Sequence, residues 1–577
     1  MKKRLFNIVL VAAIFGGITA CNKAEQATPV AQKGIHKVTK MPQHPKPYHM
    51  INWKEKAQDF DKYVYDWHAK GPFKPFIWKD TSHRNMDQDT YGLYTVVGDV
   101  RQGGNKNGGE FHESLCSLGS LLGAGLVGID KTHQDGNNYV KMVQNYFNSD
   151  NGWNIMMNNT SPKIAQLGGG YGRDWWYDVF PNVLYYAVAD VFPGVNHQDQ
   201  LLHTIANQFY KADSVLNGDY DYSYFDYSKM KGFKTHIPHQ QDAAAGHAYV
   251  LLNAYHKFGS KKYLKGAESA LQALLAQKES RFYEVLMPFG ALVAARLNAE
   301  EGTNYDYQHI LDWTFDGCKA KDGRTGWGIV NEKWGKFDVA GLQGSLTDGG
   351  GYMFLMNTID MAWPLVPMVR YDTRYANTIG KYMLNATNAA RLFYPYEMPD
   401  SNQWLPKRKE ISNNVIAYEG IKKHDMYNKK SLKGVTPVAL GDGPNWQLNQ
   451  PEISMFSIYG SAHAGIYGAI IEQTDVPEIL KLNCLATDFY RNDAFPTYLV
   501  YNPYQQSKTI TYNAKSEGAI DLYDAVNHTL VAENINGKGK VALPAQASRV
   551  LVEIPHGQKI TKQGKHYVAG KTVVAFM

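Results

Sequence analysis

Between residues 110 and 490 the chain carries about a dozen segments in which apolar residues return every third or fourth position, and nothing else constrains its fold as strongly. That spacing lines up apolar side chains on one stripe of an α-helix. The segments are 112–129, 137–147, 177–191, 198–216, 243–258, 261–277, 282–298, 306–318, 351–369, 375–393, 454–472 and 476–485. Joined by short connections they make six helical hairpins, which predicts a mainly α fold of the (α/α)6-type toroid. A helical solenoid would also use hairpins, but it requires a sequence repeat of fixed period, and none is present.

The pattern changes after Asp493. Residues 498–502, 508–512, 519–523, 540–543 and 549–554 are short alternating or β-branched runs, punctuated by turn residues such as 536–539. They predict an antiparallel β-sandwich as a C-terminal β domain over 493–577. Residues 48–492 are then the toroid domain, with the aromatic, irregular stretch 48–104 as a cap. Residues 395–446, rich in Pro, Asn, Lys and Asp, predict a long excursion over the toroid mouth or the domain junction.

The N-terminus addresses the compartment. Met1 to Arg4 is basic, Leu5 to Phe15 is apolar but too short for a bilayer, and small residues lead to Cys21. Residues 1–21 therefore read as a signal peptide. Thr19-Ala20-Cys21 resembles a bacterial lipobox, which implies cleavage before Cys21 and a diacylglycerol on its thiol. Lipid chains hold a protein at a membrane by about 0.8 kcal/mol per buried methylene. Residues 22–47 are polar and lack Phe, Trp and Tyr, and read as a flexible tether. The expectation is an outer-membrane lipoprotein, on the surface or the periplasmic face, that meets the membrane through its anchor only, because no later segment suits a span.

Cys116, Cys318 and Cys484 lie in apolar, helix-like stretches and read as buried free thiols. No Cys/His spacing suggests a metal, and no cofactor is expected. The formal charge of +6 comes without Lys/Arg runs, which argues against nucleic acid. It suits an anionic polysaccharide or oligosaccharide as partner. The 39 Tyr and 12 Trp residues supply rings of the kind that stack on sugar faces.

Polar, Gly-rich, aromatic loops precede several of the helices: 103–113, 168–176, 235–242, 345–352 and 459–463. In a toroid such loops converge at one mouth, where helix N-termini favour anionic groups. They carry Glu110, Glu113, Tyr171, Arg173, Asp174, Trp175, His236, His239, Gln240, Asp348, Tyr352 and His463. Asp242 and Asp348 also suit helix caps. Of the adjacent pair Trp175 and Trp176, one should face the core and the other the mouth.

Two chemistries use these parts. A uronate lyase must neutralise a carboxylate, remove the C5 proton and protonate the leaving oxygen. Tyr171 and His239 would then move protons and Arg173 with His236 would neutralise. Glu110, Asp174, Trp175, Gln240, Asp348, Tyr352 and His463 would bind substrate. A glycoside hydrolase needs two carboxyl groups at a set separation, and Glu110, Asp174 and Asp348 are available. A non-catalytic glycan-binding lipoprotein is a third reading.

The stretches Arg374-Tyr-Ala-Asn-Thr-Ile-Gly-Lys-Tyr-Met-Leu-Asn385, Asn388-Ala-Ala-Arg-Leu-Phe-Tyr394 and Phe495-Pro-Thr-Tyr-Leu-Val-Tyr-Asn-Pro-Tyr504 resemble those of (α/α)-toroid polysaccharide lyases from bacterial polysaccharide-utilisation clusters. The likeness is greatest to enzymes cleaving rhamnose–glucuronate linkages, ulvan lyases included. This resemblance implies β-elimination of a uronate polysaccharide, sulfated substrates included. Asp174 and Asp348 in prominent loops depart from that pattern and keep the hydrolase reading in play.

Overall fold

The computed structural model describes residues 28–99, 113–149, 151–161, 174–322, 326–443 and 451–577. Among these residues the inner helices form a closed ring. Ser114–Leu126 packs on Trp175–Val191, which packs on Ala243–Phe258, then Met287–Glu300, then Ala362–Tyr371. Ala362–Tyr371, led into by Leu355–Asp360, meets Ala464–Ile470, which returns to Ser114–Leu126. Outer helices flank the ring. Trp53–Val64 lies on Ala464–Ile470, while Gln198–Leu216 and Lys261–Leu275 lie on Ala243–Phe258. Gln308–Asp316 lies on Met287–Glu300, and Ala376–Ala390 lies on the Leu355–Tyr371 pair. This is an (α/α) toroid.

The sequence explains the two layers. Inner helices are buried nearly all round: Ser114 through Ala124 are all buried. Outer helices are amphipathic: Lys261–Leu275 buries Tyr263, Leu264, Ala267, Leu271 and Leu274 and leaves Lys261, Lys262 and Lys265 in solvent. The ring closes backbone to backbone, because a Cβ on Gly465 would stand 2.1 Å from the Gly123 carbonyl oxygen.

Several elements differ from the sequence reading. The 351–369 segment opens with a strand, Tyr352–Phe354, before its helices begin. The segment 476–485 contains the strand Leu480–Asn483, paired with Ile471–Gln473 and Thr497–Tyr501. A short apolar run has no period that separates strand from helix. The β region therefore begins at Ile471, upstream of 493. Its main sheet is antiparallel, in the order Ile471–Gln473, Leu480–Asn483, Thr497–Tyr501, Ser548–Pro555, Ala519–Asp524, Thr529–Asn536, Lys538–Leu543, Lys508–Asn513. Tyr498, Val500, Ile510, Tyr512, Leu522, Val541 and Leu551 give it a core of its own. A three-stranded sheet, Ile560–Gln563, His566–Ala569 and Thr572–Phe576, completes the domain.

Residues 28–47, part of the stretch read as a tether, are strapped to the body. The Val30 N–H donates to Val526 O at 2.8 Å and Lys33 N–H to Arg374 O at 2.7 Å. Ile35, Val38 and Met41 are buried. Three apolar side chains at helical spacing, with backbone hydrogen bonds, outweigh the polar composition. Cys21 and the signal segment lie outside the described residues. No helix among the described residues is long and apolar enough to cross a membrane. Cys116, Cys318 and Cys484 are buried and free.

The element that most shapes the mouth is an inserted antiparallel sheet. Its order is Val438–Leu440, Gly420–Lys422, Tyr352–Phe354, Gln343–Ser345, Trp327–Ile329. Two of its strands come from the 395–446 excursion.

Candidate active site

Loops leading into the inner helices meet at one end of the ring. Glu113 precedes Ser114–Leu126, Asp174 precedes Trp175–Val191, and Tyr283 with Glu284 precede Met287–Glu300. These residues, with Tyr352, Phe354 and Ser454, and with Tyr459 at the start of Ile458–Ala462, line one cavity of about 530 Å³. The inserted sheet and its flanks supply Trp327, Glu419, Lys422, Met426 and Asp442. The volume suits a small ligand or one to a few sugar units.

The wall is acidic and aromatic. Glu113, Asp174, Glu284, Asp348, Glu419 and Asp442 face Lys422 as the cationic side chain among the described lining residues. Trp176 stacks on Tyr177 with centroids 4.1 Å apart, and Trp327 lies stacked 5.8 Å from Phe354.

Glu419 is a buried carboxyl group of this wall. It is 7% exposed. Tyr459 Oη donates to its Oε1 at 2.7 Å, and the Asp442 N–H donates to its Oε2 at 2.9 Å. Burial, reinforced by the neighbouring Asp442 charge, pushes the Glu419 carboxyl up to about 8. Tyr352 Oη donates to Asp442 Oδ1 at 3.4 Å. The strand carrying Glu419 runs directly against Tyr352, since a Cβ on Gly420 would stand 2.2 Å from the Tyr352 ring.

Across the mouth, Asp174 sits at the N-cap position of its helix without capping it. Its Oδ1 accepts from Gln240 Nε2 at 2.9 Å, and Gln240 Oε1 takes the Trp176 N–H at 3.0 Å. Asp242, expected as a cap, makes no capping bond either; it is fully buried and its Oδ2 accepts the Tyr283 N–H at 2.8 Å. That bond helps fix the turn at Glu284, whose backbone is left-handed at φ 58°. Holding a non-glycine residue there costs about 1–3 kcal/mol, and such strain clusters at functional sites. Gln343 Nε2 holds the Glu284 carbonyl at 2.7 Å, and Asn357 Nδ2 donates to Glu284 Oε2 at 2.6 Å.

The residues singled out from the sequence divide into three groups. Asp174, Asp348 and Tyr352 line the cavity, with Asp348 on its exposed rim and Gln240 directly behind Asp174. Glu110, Tyr171 and Arg173 lie outside the described residues. The others stand elsewhere. Trp175 is fully buried, stacked on Tyr220 and donating to Tyr227 Oη at 3.2 Å, so Trp176 is the member of the pair at the mouth. His463 is buried under the floor, between Asp360 Oδ1 at 2.8 Å and the Leu115 carbonyl at 3.1 Å. His236 is exposed, and His239 Nδ1 pairs with Asp221 at 2.9 Å; neither lines the cavity. Their loop is held away from the cavity by Asp221 and by the His239 N–H bond to the Asp322 carbonyl at 3.1 Å. Glu284, Glu419 and Asp442 were not singled out. The Glu419-Gly420 pair inside an irregular excursion was the available signal.

Among the described residues no group of three or more His, Cys, Asp or Glu side chains is arranged to hold a metal ion.

No family model and no curated protein matches the chain. Solved structures of similar fold include a GH127 β-L-arabinofuranosidase from Geobacillus stearothermophilus T6, at 12% identity and TM-score 0.38, covering 91% of this chain and 85% of that one. Another GH127 β-arabinofuranosidase also aligns at 12% identity and TM-score 0.38, over 95% of this chain and 85% of that one. A D-mannose isomerase aligns at 10% identity and TM-score 0.37, over 72% and 95%. Likeness at this level identifies neither a substrate nor a reaction.

Proposed function

We propose that the protein is a glycoside hydrolase that cleaves a neutral glycan in this cavity, with Glu419 as the general acid. The observation that carries the reading is a buried glutamic acid whose carboxyl is held up to about 8, on the wall of a cavity shared with other carboxylates. A carboxylic acid kept protonated near neutral pH, close to carboxylates in different surroundings, is the pattern that divides acid from base in glycosidases. Proton donation to the leaving oxygen is worth roughly 10²–10⁴ in rate. The half-buried Tyr177 ring, backed by Trp176 on the cavity wall, supplies an aromatic surface of the kind that stacks on sugar rings.

Elimination is less well supported. The histidines expected to serve it stand away from the cavity. A uronate would also bring a negative charge to a described wall bearing six carboxyl groups and one ammonium. Like charges about 4 Å apart repel by roughly 4 kcal/mol at an effective dielectric of 20. The reading is tested by screening the purified protein on neutral and uronate polysaccharides with a reducing-end assay and ultraviolet absorbance together. New reducing ends from a neutral glycan, lost in Glu419→Gln, support it. Cleavage confined to uronate polymers, with rising absorbance, refutes it. Membrane attachment through lipidated Cys21 belongs to the same proposal, as it places the enzyme where it meets extracellular glycans.

A further inference from the structure

We infer that Glu284 is the second catalytic carboxylate, the one that acts at the anomeric carbon. The inference rests on the hydrolase reading and names a role that Glu419 does not fill. In the step it implies, the bond between the anomeric carbon and the glycosidic oxygen breaks, and its electron pair goes to the leaving oxygen, which takes the Glu419 proton. The new bond at the anomeric carbon comes from a water whose proton passes to Glu284, or from Glu284 itself, with water later displacing it. Either route consumes one water and yields a hemiacetal and an alcohol.

The other acids of the wall fit less well. Asp442 lies beside Glu419 on the same sheet edge and donates its backbone N–H to it. Asp348 is exposed at the rim. Asp174 is 2% exposed and engaged with Gln240, and Glu113 is 8% exposed at the start of the first inner helix. Glu284 alone combines partial exposure on the cavity with a strained backbone and anchors from two separate elements. Gln343 on the inserted sheet fixes its carbonyl, and Asn357 on the fifth segment of the ring fixes one carboxylate oxygen. Glu284 leads into the fourth inner helix and Glu419 contacts Tyr459 in the sixth sector, so the two are set apart around the mouth. A sphere of the cavity's volume is about 10 Å across, which accommodates the roughly 5–9.5 Å separations used by glycosidases.

The test compares Glu419→Gln, Glu284→Gln and Glu284→Gly on 4-nitrophenyl glycosides of neutral sugars and on an oligosaccharide of the same sugar. Glycine suits the left-handed backbone at this position, so Glu284→Gly keeps the test open should the glutamine variant fail to fold. Loss of proton donation should cost Glu419→Gln about 10² or more on the oligosaccharide and less than about tenfold on the nitrophenyl glycoside, whose leaving group needs no proton. Both Glu284 variants should lose about 10³ or more on both substrates while still unfolding in one cooperative transition, with azide restoring turnover to Glu284→Gly. Glu284 variants within tenfold of the parent, beside a leaving-group-dependent Glu419→Gln, overturn the assignment and leave hydrolysis standing. Failure of the parent to cleave any glycoside overturns both.

Discussion

Glu419 makes the pH profile a direct reading of the site. A glutamate at its ordinary value of 4.5 would be protonated in only about 0.3% of molecules at pH 7, whereas at about 8 it is protonated in about nine-tenths. The alkaline limb of kcat/KM should therefore fall tenfold per pH unit above about 8. Burial is the larger cause of the elevation and the Asp442 charge the next. Asp442→Asn removes the charge but leaves the burial, so the limb should move toward acid by about one pH unit, short of a full return to 4.5. At pH 8 that lowers the protonated fraction from about one half to about one tenth, a fivefold loss. Tyr459→Phe works in the opposite sense. It removes a donor to the ionised carboxylate, and the limb should move toward alkali. Initial rates on a nitrophenyl-free oligosaccharide across pH 5 to 10 measure both. A limb that stays in place in both variants, or that moves toward alkali in Asp442→Asn, refutes the role given to Glu419.

Stability should carry the same signature. The folded state binds the Glu419 proton more tightly than the unfolded chain, so this group costs stability as pH rises from 4.5 to 8. Glu419→Gln should then melt higher than the parent at pH 9 and converge with it near pH 4; a lower melting point at pH 9 contradicts the burial argument. His236→Ala and His239→Ala should leave turnover within about twofold, since neither reaches the cavity; a loss above about 10² would restore a proton-transfer role for that loop. Trp175→Ala should destabilise by about 3–5 kcal/mol in denaturant unfolding through the cavity it leaves in the core, and a change under 1 kcal/mol would contradict its placement. Ile35→Ala should cost about 2–4 kcal/mol if residues 28–47 are packed as described, against nothing measurable for a free tether. Cys21→Ser should abolish lipid labelling and release the protein from membranes; an unchanged membrane fraction counts against the lipobox.

The toroid was legible because inner and outer helices carry strong and different patterns. Gln198–Leu216 and Ala243–Phe258 coincide with their apolar periods end to end. The convergence of helix-entry loops was legible for the same reason, as Glu113, Asp174 and Tyr352 all reach the mouth. What escaped was decided by long-range pairing. Gly420–Lys422 is a strand because Tyr352–Phe354 and Val438–Leu440 flank it, so beyond the bare Glu419-Gly420 pair the excursion carried little local sign that it would bury Glu419. The histidines were prominent in a polar loop, yet which way a loop turns depends on its neighbours. Trp175 and Trp176 could be divided between core and mouth, but their order follows from the ring at Tyr220 and the backbone bond to Gln240.

The central claim is that this cavity adds water across a glycosidic bond. Mass spectrometry of the products from a defined oligosaccharide tests it most directly. The account predicts two fragments whose masses sum to the parent plus one water, neither containing a double bond. Fragments that sum to the parent mass, one of them an unsaturated uronate, would mean elimination and would contradict it.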